Sequence, residues 1–288
     1  MIKAENFSYS FPQKDLYDNI SFSLEEGQHC AFIGTSGSGK STLVNILMNP
    51  DNYMYDGSLE IAPNSRIGYV SQFSQLDSDT PLTVFEYIGE KFIHFQKEIA
   101  SICTEMETAI DLEPLLEQYQ LVLDAYDAIG GDDYESIIRK NLNLADLIHQ
   151  ENQLVSNLSG GEFKLVQVIK EMLTQPDLLI MDEPDVFLDF EHLNSLRDLI
   201  NSHKGIILVI THNRYLLNHC FNKILHLENK ELQEFNGDYI DYHFSLLMQK
   251  IELQELAVAD EEEIQRNEEI INQLRNVDPK NYNESYCN

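Results

Sequence analysis

Nine consecutive residues, Gly34-Thr35-Ser36-Gly37-Ser38-Gly39-Lys40-Ser41-Thr42, fit the pattern G-x-x-x-x-G-K-[ST]. Glycines at these spacings let backbone N–H groups turn toward phosphate oxygens. The Lys40 ammonium can then reach the β- and γ-phosphates of a nucleotide, and the Ser41 hydroxyl can ligate Mg²⁺. A second stretch, L-L-I-M-D-E from Leu178 to Glu183, is an apolar run that ends in two carboxylates. Asp182 would hold Mg²⁺, directly or through water. Glu183 would polarise an attacking water as general base. A nest for phosphates paired with such an acid points to hydrolysis of a nucleoside triphosphate.

These groups need a scaffold that brings distant segments to one place. The run H-C-A-F-I-G ends at Gly34 and reads as an apolar strand, and the residues after it switch to helical spacing. R-I-G-Y-V-S-Q and G-I-I-L-V-I-T-H are further strands, and L-L-I-M-D-E is a buried one. The helical runs F-K-L-V-Q-V-I-K-E-M-L and H-L-N-S-L-R-D-L-I-N-S alternate with them. Strands alternating with helices imply an α/β fold with a largely parallel sheet. A helical stretch, 81–157, interrupts it and reads as an inserted subdomain between core segments 1–80 and 158–243. Thr83 and Glu86 form a T-x-x-E capping box at its start, and Asp132 and Glu135 offer a second. Between about 98 and 131 a helical hairpin is expected. Leu112, Leu115, Tyr119, Val122, Tyr126 and Ile129 recur three and four apart as a packing seam. Pro114 fits a first turn there, and Gly130-Gly131 a stop. Residues 244–288 form an acidic helical tail with a disordered end expected.

The chain has 288 residues, 43% of them hydrophobic, which suits a folded core. Its formal net charge is −30, so as a whole it repels nucleic acid phosphates. Cys30, Cys103, Cys220 and Cys287 are scattered with no C-x-x-C pair, which signals neither a metal site nor a disulfide framework. Cys30 is expected to be a core thiol. The N-terminus lacks the basic and apolar regions of a signal peptide. No apolar run approaches the ~20 residues that span a bilayer. A cytoplasmic protein without direct membrane insertion is the expectation, and a membrane role would need a separate subunit.

Five more features complete a set: Gln72, the pentapeptide L-S-G-G-E from Leu158 to Glu162, Asp189, His212 and the aromatic stretch F-S-Y-S-F-P. In type and order this set resembles the ATP-binding cassette (ABC) family over roughly residues 2–243. The resemblance implies a P-loop NTPase core of ABC type with an inserted helical subdomain, binding ATP and Mg²⁺. It implies that Gln72 contacts Mg²⁺ and the attacking water, and that His212 hydrogen-bonds the γ-phosphate. Phe11 would stack on adenine, with Tyr9 its rival. The signature residues Ser159, Gly160, Gly161 and Glu162, with Asp189 of the following loop, would act in trans on a nucleotide held by another cassette. One chain then carries halves of two different sites and must pair with a second cassette, identical or not.

Three stretches further resemble the F class of the family, soluble proteins that act on ribosomes. They are the hairpin ending in Gly130-Gly131, T-H-N-R-Y-L-L around His212, and F-N-G-D-Y-I-D-Y before the tail. The resemblance is to the N-terminal half of such a protein. The departures are one cassette where the class normally has two, Asp185, Val186 and Phe187 in place of T-N-H, a phosphate loop, T-S-G-S-G-K, that looks more like a transporter's than the class's usual N-G, and an acidic arm and tail. Between Glu98 and Gly131 there is no Lys, Arg or His. A ribosomal partner would therefore be met through protein rather than RNA. Two other readings stay open: the ATP-binding subunit of a transporter, and a truncated fragment that binds ATP without turnover.

Overall fold

The computed structural model describes residues 1–12, 14–72 and 81–276, with residues 272–276 described by backbone alone. The expected disordered end falls at 277–288, outside the described residues. Strands β1 (Ile2–Phe11), β2 (Lys14–Leu24) and β3 (His29–Gly34) lead into α1 (Lys40–Met48). Next come β4 (Asp56–Ile61), β5 (Ile67–Val70), α2 (Val84–Met106), α3 (Glu113–Ala128), α4 (Tyr134–Leu144) and α5 (Gly160–Leu173). The order continues with β6 (Leu178–Asp182), α6 (Phe190–Ser202), β7 (Ile206–Ile210), α7 (Arg214–His219), β8 (Lys223–Glu228), β9 (Glu231–Asn236) and α8 (Tyr239–Asn276).

Two sheets form. One is antiparallel, in the order β2-β1-β4, and the other runs β5-β6-β7-β3-β8-β9. In the second, β5, β6, β7, β3 and β8 are parallel, and β9 closes the edge antiparallel to β8. All five residues of β6 and all five of β7 are buried, which is why their sequences are continuous apolar runs without alternation. The α/β expectation holds. Leu43, Val44, Ile46 and Leu47 of α1 share one core with Phe7, Tyr17 and Phe22 of the small sheet and Phe32, Ile180, Leu208 and Leu225 of the large one. Cys30 is buried in that core, and burial pushes its thiol pKa up, as expected of a packing residue.

The register of the large sheet decides where the chemistry goes. Val70 lies opposite Met181, and both Asp182 and Phe32 lie opposite Ile210. The carboxyl ends of β3, β5, β6 and β7 therefore share one edge, the usual place for ligands in such sheets. Gly34, Gln72, Asp182 and His212 all sit at or just past those ends.

The helical stretch starts with the Thr83–Glu86 capping box, reciprocal as expected. α2 runs on through residue 98 to Met106, so the first arm of the expected hairpin is its continuation, and α3 returns along it, with Pro114 in its first turn. Tyr126 and Ile129 of the seam are buried, whereas Leu112 at the helix start is 45% exposed. The second expected capping box is not formed. Residues Gly131–Asp133 make a 3₁₀ turn after Gly130, which has φ 80°, and α4 starts from Asp133 with no side-chain cap. The left-handed glycine turns the chain sharply enough to carry the helix start one residue beyond Asp132. The described chain divides into two compact units, Met1–Tyr239 and Ile240–Asn288, and within the second the described residues are those of α8. Among the described residues, no helix is long and apolar enough to cross a membrane.

Candidate functional site

The glycine-rich loop is held from three sides. Gly34 runs so close to β8 that a Cβ built on it would meet the Leu227 carbonyl oxygen at 2.3 Å. The Tyr17 hydroxyl donates to the Gly39 carbonyl at 2.5 Å, and Lys14 Nζ donates to the Gly37 carbonyl at 3.0 Å. Gly39 has φ 111°, and a Cβ built on it would meet the Tyr17 ring at 3.0 Å, so only glycine suits it. Thr35, Ser36 and Gly37 remain exposed.

Lys40 is 7% exposed, and its Nζ donates to the carbonyls of Gly34 at 2.8 Å and Thr35 at 3.0 Å. Burial lowers its pKa, opposed by the carboxylates of Glu183 and Asp182. The N-cap of α1 is Gly39, without a side-chain cap, so the first N–H groups of the helix are free for an anion. The Ser38 hydroxyl is buried and lacks a partner. Free N–H groups, an orphan hydroxyl and a buried ammonium at one loop fit a polyphosphate. Ser41 is exposed in the first turn of α1, and Thr42 lies against Tyr17.

Across the sheet edge, Asp182 is 5% exposed at the end of β6. Glu183 follows in the left-handed region at φ 48°, with its N–H on the Ile210 carbonyl at 2.9 Å. The Gln72 side-chain amide donates to Glu183 Oε2 at 2.5 Å. His212 is exposed two residues past Ile210, and among the described residues no hydrogen bond joins it to Asp182 or Glu183. Instead the neighbouring Thr211 hydroxyl donates to Asp185 Oδ1 at 2.7 Å and accepts from the Asn213 N–H at 3.0 Å. Asp185, one of the departures from the family pattern, thus ties the acidic loop to the segment carrying His212.

The signature forms the start of α5. Ser159 is its N-cap, accepting from the Glu162 N–H, and the Glu162 carboxylate accepts from the Ser159 N–H at 2.7 Å. Gln150 donates to the other oxygen of Glu162 at 2.8 Å. Burial raises the Glu162 pKa, but the Ser159 N–H and hydroxyl and the Gln150 amide outweigh it and hold the carboxyl below its ordinary range. The Ser159 side chain is thus engaged within its own capping box, at an exposed helix start. Gly160 is exposed with nothing near its Cβ position, whereas Gly161 is buried beside His192. Asp189 caps α6, accepting from the His192 N–H at 2.9 Å and lying 2.8 Å from its ring Nδ1.

At the other end, Phe11 closes β1 opposite Lys14, the residue bonded to Gly37. Its ring is 46% exposed and meets Tyr9 edge-on at 5.4 Å. Tyr9 also contacts Tyr17 and Tyr53, so of the two rivals it is the packed ring and Phe11 the open one. Lys14, Lys230 and the phosphate loop line an open pocket of ≈ 520 Å³.

Sequence reasoning missed Tyr17, Lys14 and Lys164, as well as the capping role of the signature itself. The S-x-x-E spacing was available as a capping signal. So was a lysine among apolar residues in F-K-L-V-Q-V: Lys164 is 5% exposed and donates to the carbonyls of Ser71 and Gln72. Among the described residues, no group of three or more His, Cys, Asp or Glu gathers as a metal site. Mg²⁺ accompanying a nucleotide takes a few hard oxygen donors from the protein, one or two of them carboxylates, besides phosphates and water. Asp182 and the Ser41 hydroxyl are of that kind.

Comparison with known proteins follows the same lines. The family profile described as ABC transporter matches residues 17–186. YfmM of Bacillus subtilis, an uncharacterized ABC transporter ATP-binding protein, is 30% identical over 90% of this chain and 50% of its own length. A probable metal transport system ATP-binding protein of Thermotoga maritima is 28% identical over 78% of this chain and 83% of its own. The energy-dependent translational throttle protein EttA of Escherichia coli is 31% identical over 79% of this chain and 41% of its own. The chain spans about half or less of the length of the Bacillus subtilis relatives it matches. A solved ATP binding subunit of an ABC transporter is 19% identical and superposes with a TM-score of 0.60 over 85% of this chain and 94% of that one, a likeness of fold. The glycine-rich nest, the acidic strand end and the signature helix thus stand in the arrangement of an ABC ATPase domain, and the chain belongs to the ABC transporter family.

Proposed function

We propose that this chain binds Mg-ATP at its phosphate loop and hydrolyses it at an interface completed by a second cassette, another copy or another chain. The observation that carries this is the Gln72–Glu183 contact on the sheet edge where Lys40 and Asp182 also lie. Lys40 and the free N–H groups of α1 grip the phosphates, and Phe11 covers adenine. Ser41, Gln72 and Asp182 would hold Mg²⁺, which neutralises phosphate charge when bound. Glu183 takes the proton of a water that Gln72 orients, and His212 reaches the γ-phosphate once the second cassette has closed on the site. Ser159 and Gly160 are exposed, with nothing within 4 Å of the Gly160 Cβ position, which suits action in trans together with Asp189. The test is Glu183→Gln, which keeps the shape and removes the base. Sizing with ATP should give a stable pair of cassettes with turnover abolished. A monomer under all conditions, for wild type and variant, rules out self-pairing.

For the work that hydrolysis drives, we propose an F-class role on the ribosome, in the cytoplasm. Its supports are the long α2–α3 hairpin, the T-H-N-R-Y-L-L and G-D-Y-I-D-Y segments, and the likeness to a translational throttle protein. With a net charge of −30, a ribosomal contact runs through basic protein rather than RNA. A second reading, the ATP-binding subunit of a transporter, is favoured by the Thermotoga maritima relative, matched over most of its length. Co-sedimentation of the Glu183→Gln form with ribosomes in the presence of ATP separates the two. Pelleting at moderate salt supports the first, and its absence together with co-purification of a membrane-spanning subunit supports the second.

A further inference from the structure

Lys164 lies on α5 between buried Phe163 and Leu165, and it is itself 5% exposed. A buried ammonium is costly unless it finds acceptors. Its Nζ donates to two backbone carbonyls, Ser71 at 2.8 Å and Gln72 at 3.0 Å. Burial lowers its pKa while the nearby Asp182 carboxylate opposes the shift. Neutralising Asp182 would not require both carbonyls of one loop root, so the geometry serves the loop. A second grip lies further along the same helix, where the Glu171 carboxylate accepts from the Tyr69 N–H at 3.4 Å. Helix positions 164 and 171 are separated by about 10 Å of rise. Residues 69 and 72 are separated by a similar distance in extended chain, about 10 Å. α5 thus holds both the end of β5 and the two residues that follow it.

The chain of contacts continues. Gln72 is held by its carbonyl from Lys164 and by its side chain on Glu183. We infer that Lys164 is a positioning residue for ATP hydrolysis: it hangs Gln72, and through Gln72 the Glu183 carboxylate, from the helix that begins at Ser159. Movement of α5, when Ser159 engages a nucleotide on another cassette, is thereby passed to Glu183 of the same chain. The inference rests on the reading of Glu183 as the base.

The test compares Lys164→Met and Lys164→Arg in the full chain, alone and combined with Gln72→Ala. Steady-state ATPase assays give kcat and KM, and a fluorescent ATP analogue gives binding. Lys164→Met should lower kcat about tenfold or more, since small misplacements of reacting groups are costly, while KM and analogue binding stay within about twofold. Lys164→Arg, which can donate to both carbonyls, should recover most of the loss. In the Gln72→Ala background Lys164→Met should add nothing, because both changes cut the same link. An unchanged kcat in Lys164→Met, a parallel loss of binding, or effects that multiply with Gln72→Ala would overturn the inference. If the Met variant melts too low to assay, Lys164→Gln carries the same comparison. Glu183→Gln, run alongside, separates the two claims. Retained turnover there sinks the base assignment, whereas lost turnover with a normal Lys164→Met sinks only the role of Lys164.

Discussion

The side-chain amide of Gln72 and the carboxylate of Glu183 meet at 2.5 Å, joining the segments that follow β5 and β6. The Gln72 amide is a neutral hydrogen-bond donor to this carboxylate. Gln72→Glu would replace that donor with a second carboxylate, and two carboxylates at this separation cannot both stay ionised. The expected result is a fall in kcat at neutral pH of about tenfold or more. Part of the activity should return as pH rises, because the shared proton then leaves. A pH–rate profile with an alkaline-shifted acid limb checks it.

Gly34 admits no side chain. In Gly34→Ala the new methyl group meets a backbone carbonyl on β8, which cannot rotate away as a side chain would. The cost should be about 1–3 kcal/mol of stability, the range for overpacked sites. Nucleotide affinity should fall as well, since the loop itself must move. Thermal melts with and without Mg-ATP measure both effects.

Phe11 and Tyr9 should separate cleanly. Phe11→Ala removes an exposed ring and should leave the melting temperature nearly unchanged while weakening ATP binding by about 1–3 kcal/mol, as for other ring–base stacks. Tyr9→Ala removes a ring that packs on Tyr17 and Tyr53, so stability should drop. Calorimetric titration against ADP and inorganic triphosphate adds a control, because only the ligand bearing adenine should register the loss of Phe11.

Much of the site was legible because its chemistry is local. A glycine-rich turn between strand and helix, and an apolar strand ending in two acids, carry their geometry in adjacent residues. Tyr17 and Lys164 were not legible in the same way. Each acts on a loop far along the chain, Tyr17 on Gly39 and Lys164 on Gln72, and only the tertiary fold supplies the partner. Asp132 shows the opposite failure. Its spacing to Glu135 satisfied a capping pattern, but the left-handed turn at Gly130 displaced the helix start to a neighbour. Ser159 and Glu162 satisfied the same kind of pattern and do form the box.

Glu162 gives a pH prediction with a definite sign. Its folded pKa is depressed, so its contribution to stability is fully present above the ordinary glutamate pKa and is lost as pH falls through the lowered folded value. Glu162→Gln keeps a side-chain acceptor for the Ser159 N–H but cannot titrate. Wild type should melt higher than the variant near neutral pH, and the gap should close as the solution is acidified. Melting curves collected from neutral to acidic pH on both proteins decide this. A gap independent of pH would mean that the charge is not what matters.

The three ties on the phosphate loop, from Leu227, Tyr17 and Lys14, bear on how ATP arrives. A loop already held in its cradle shape loses little conformational freedom when a ligand enters, so little of the interaction energy is spent on ordering it. The barrier to docking is then mainly electrostatic, because a tetra-anionic nucleotide must approach a chain of net charge −30. Added salt should screen that repulsion and speed capture of free ATP, and Mg²⁺ that travels with the nucleotide makes the same approach easier.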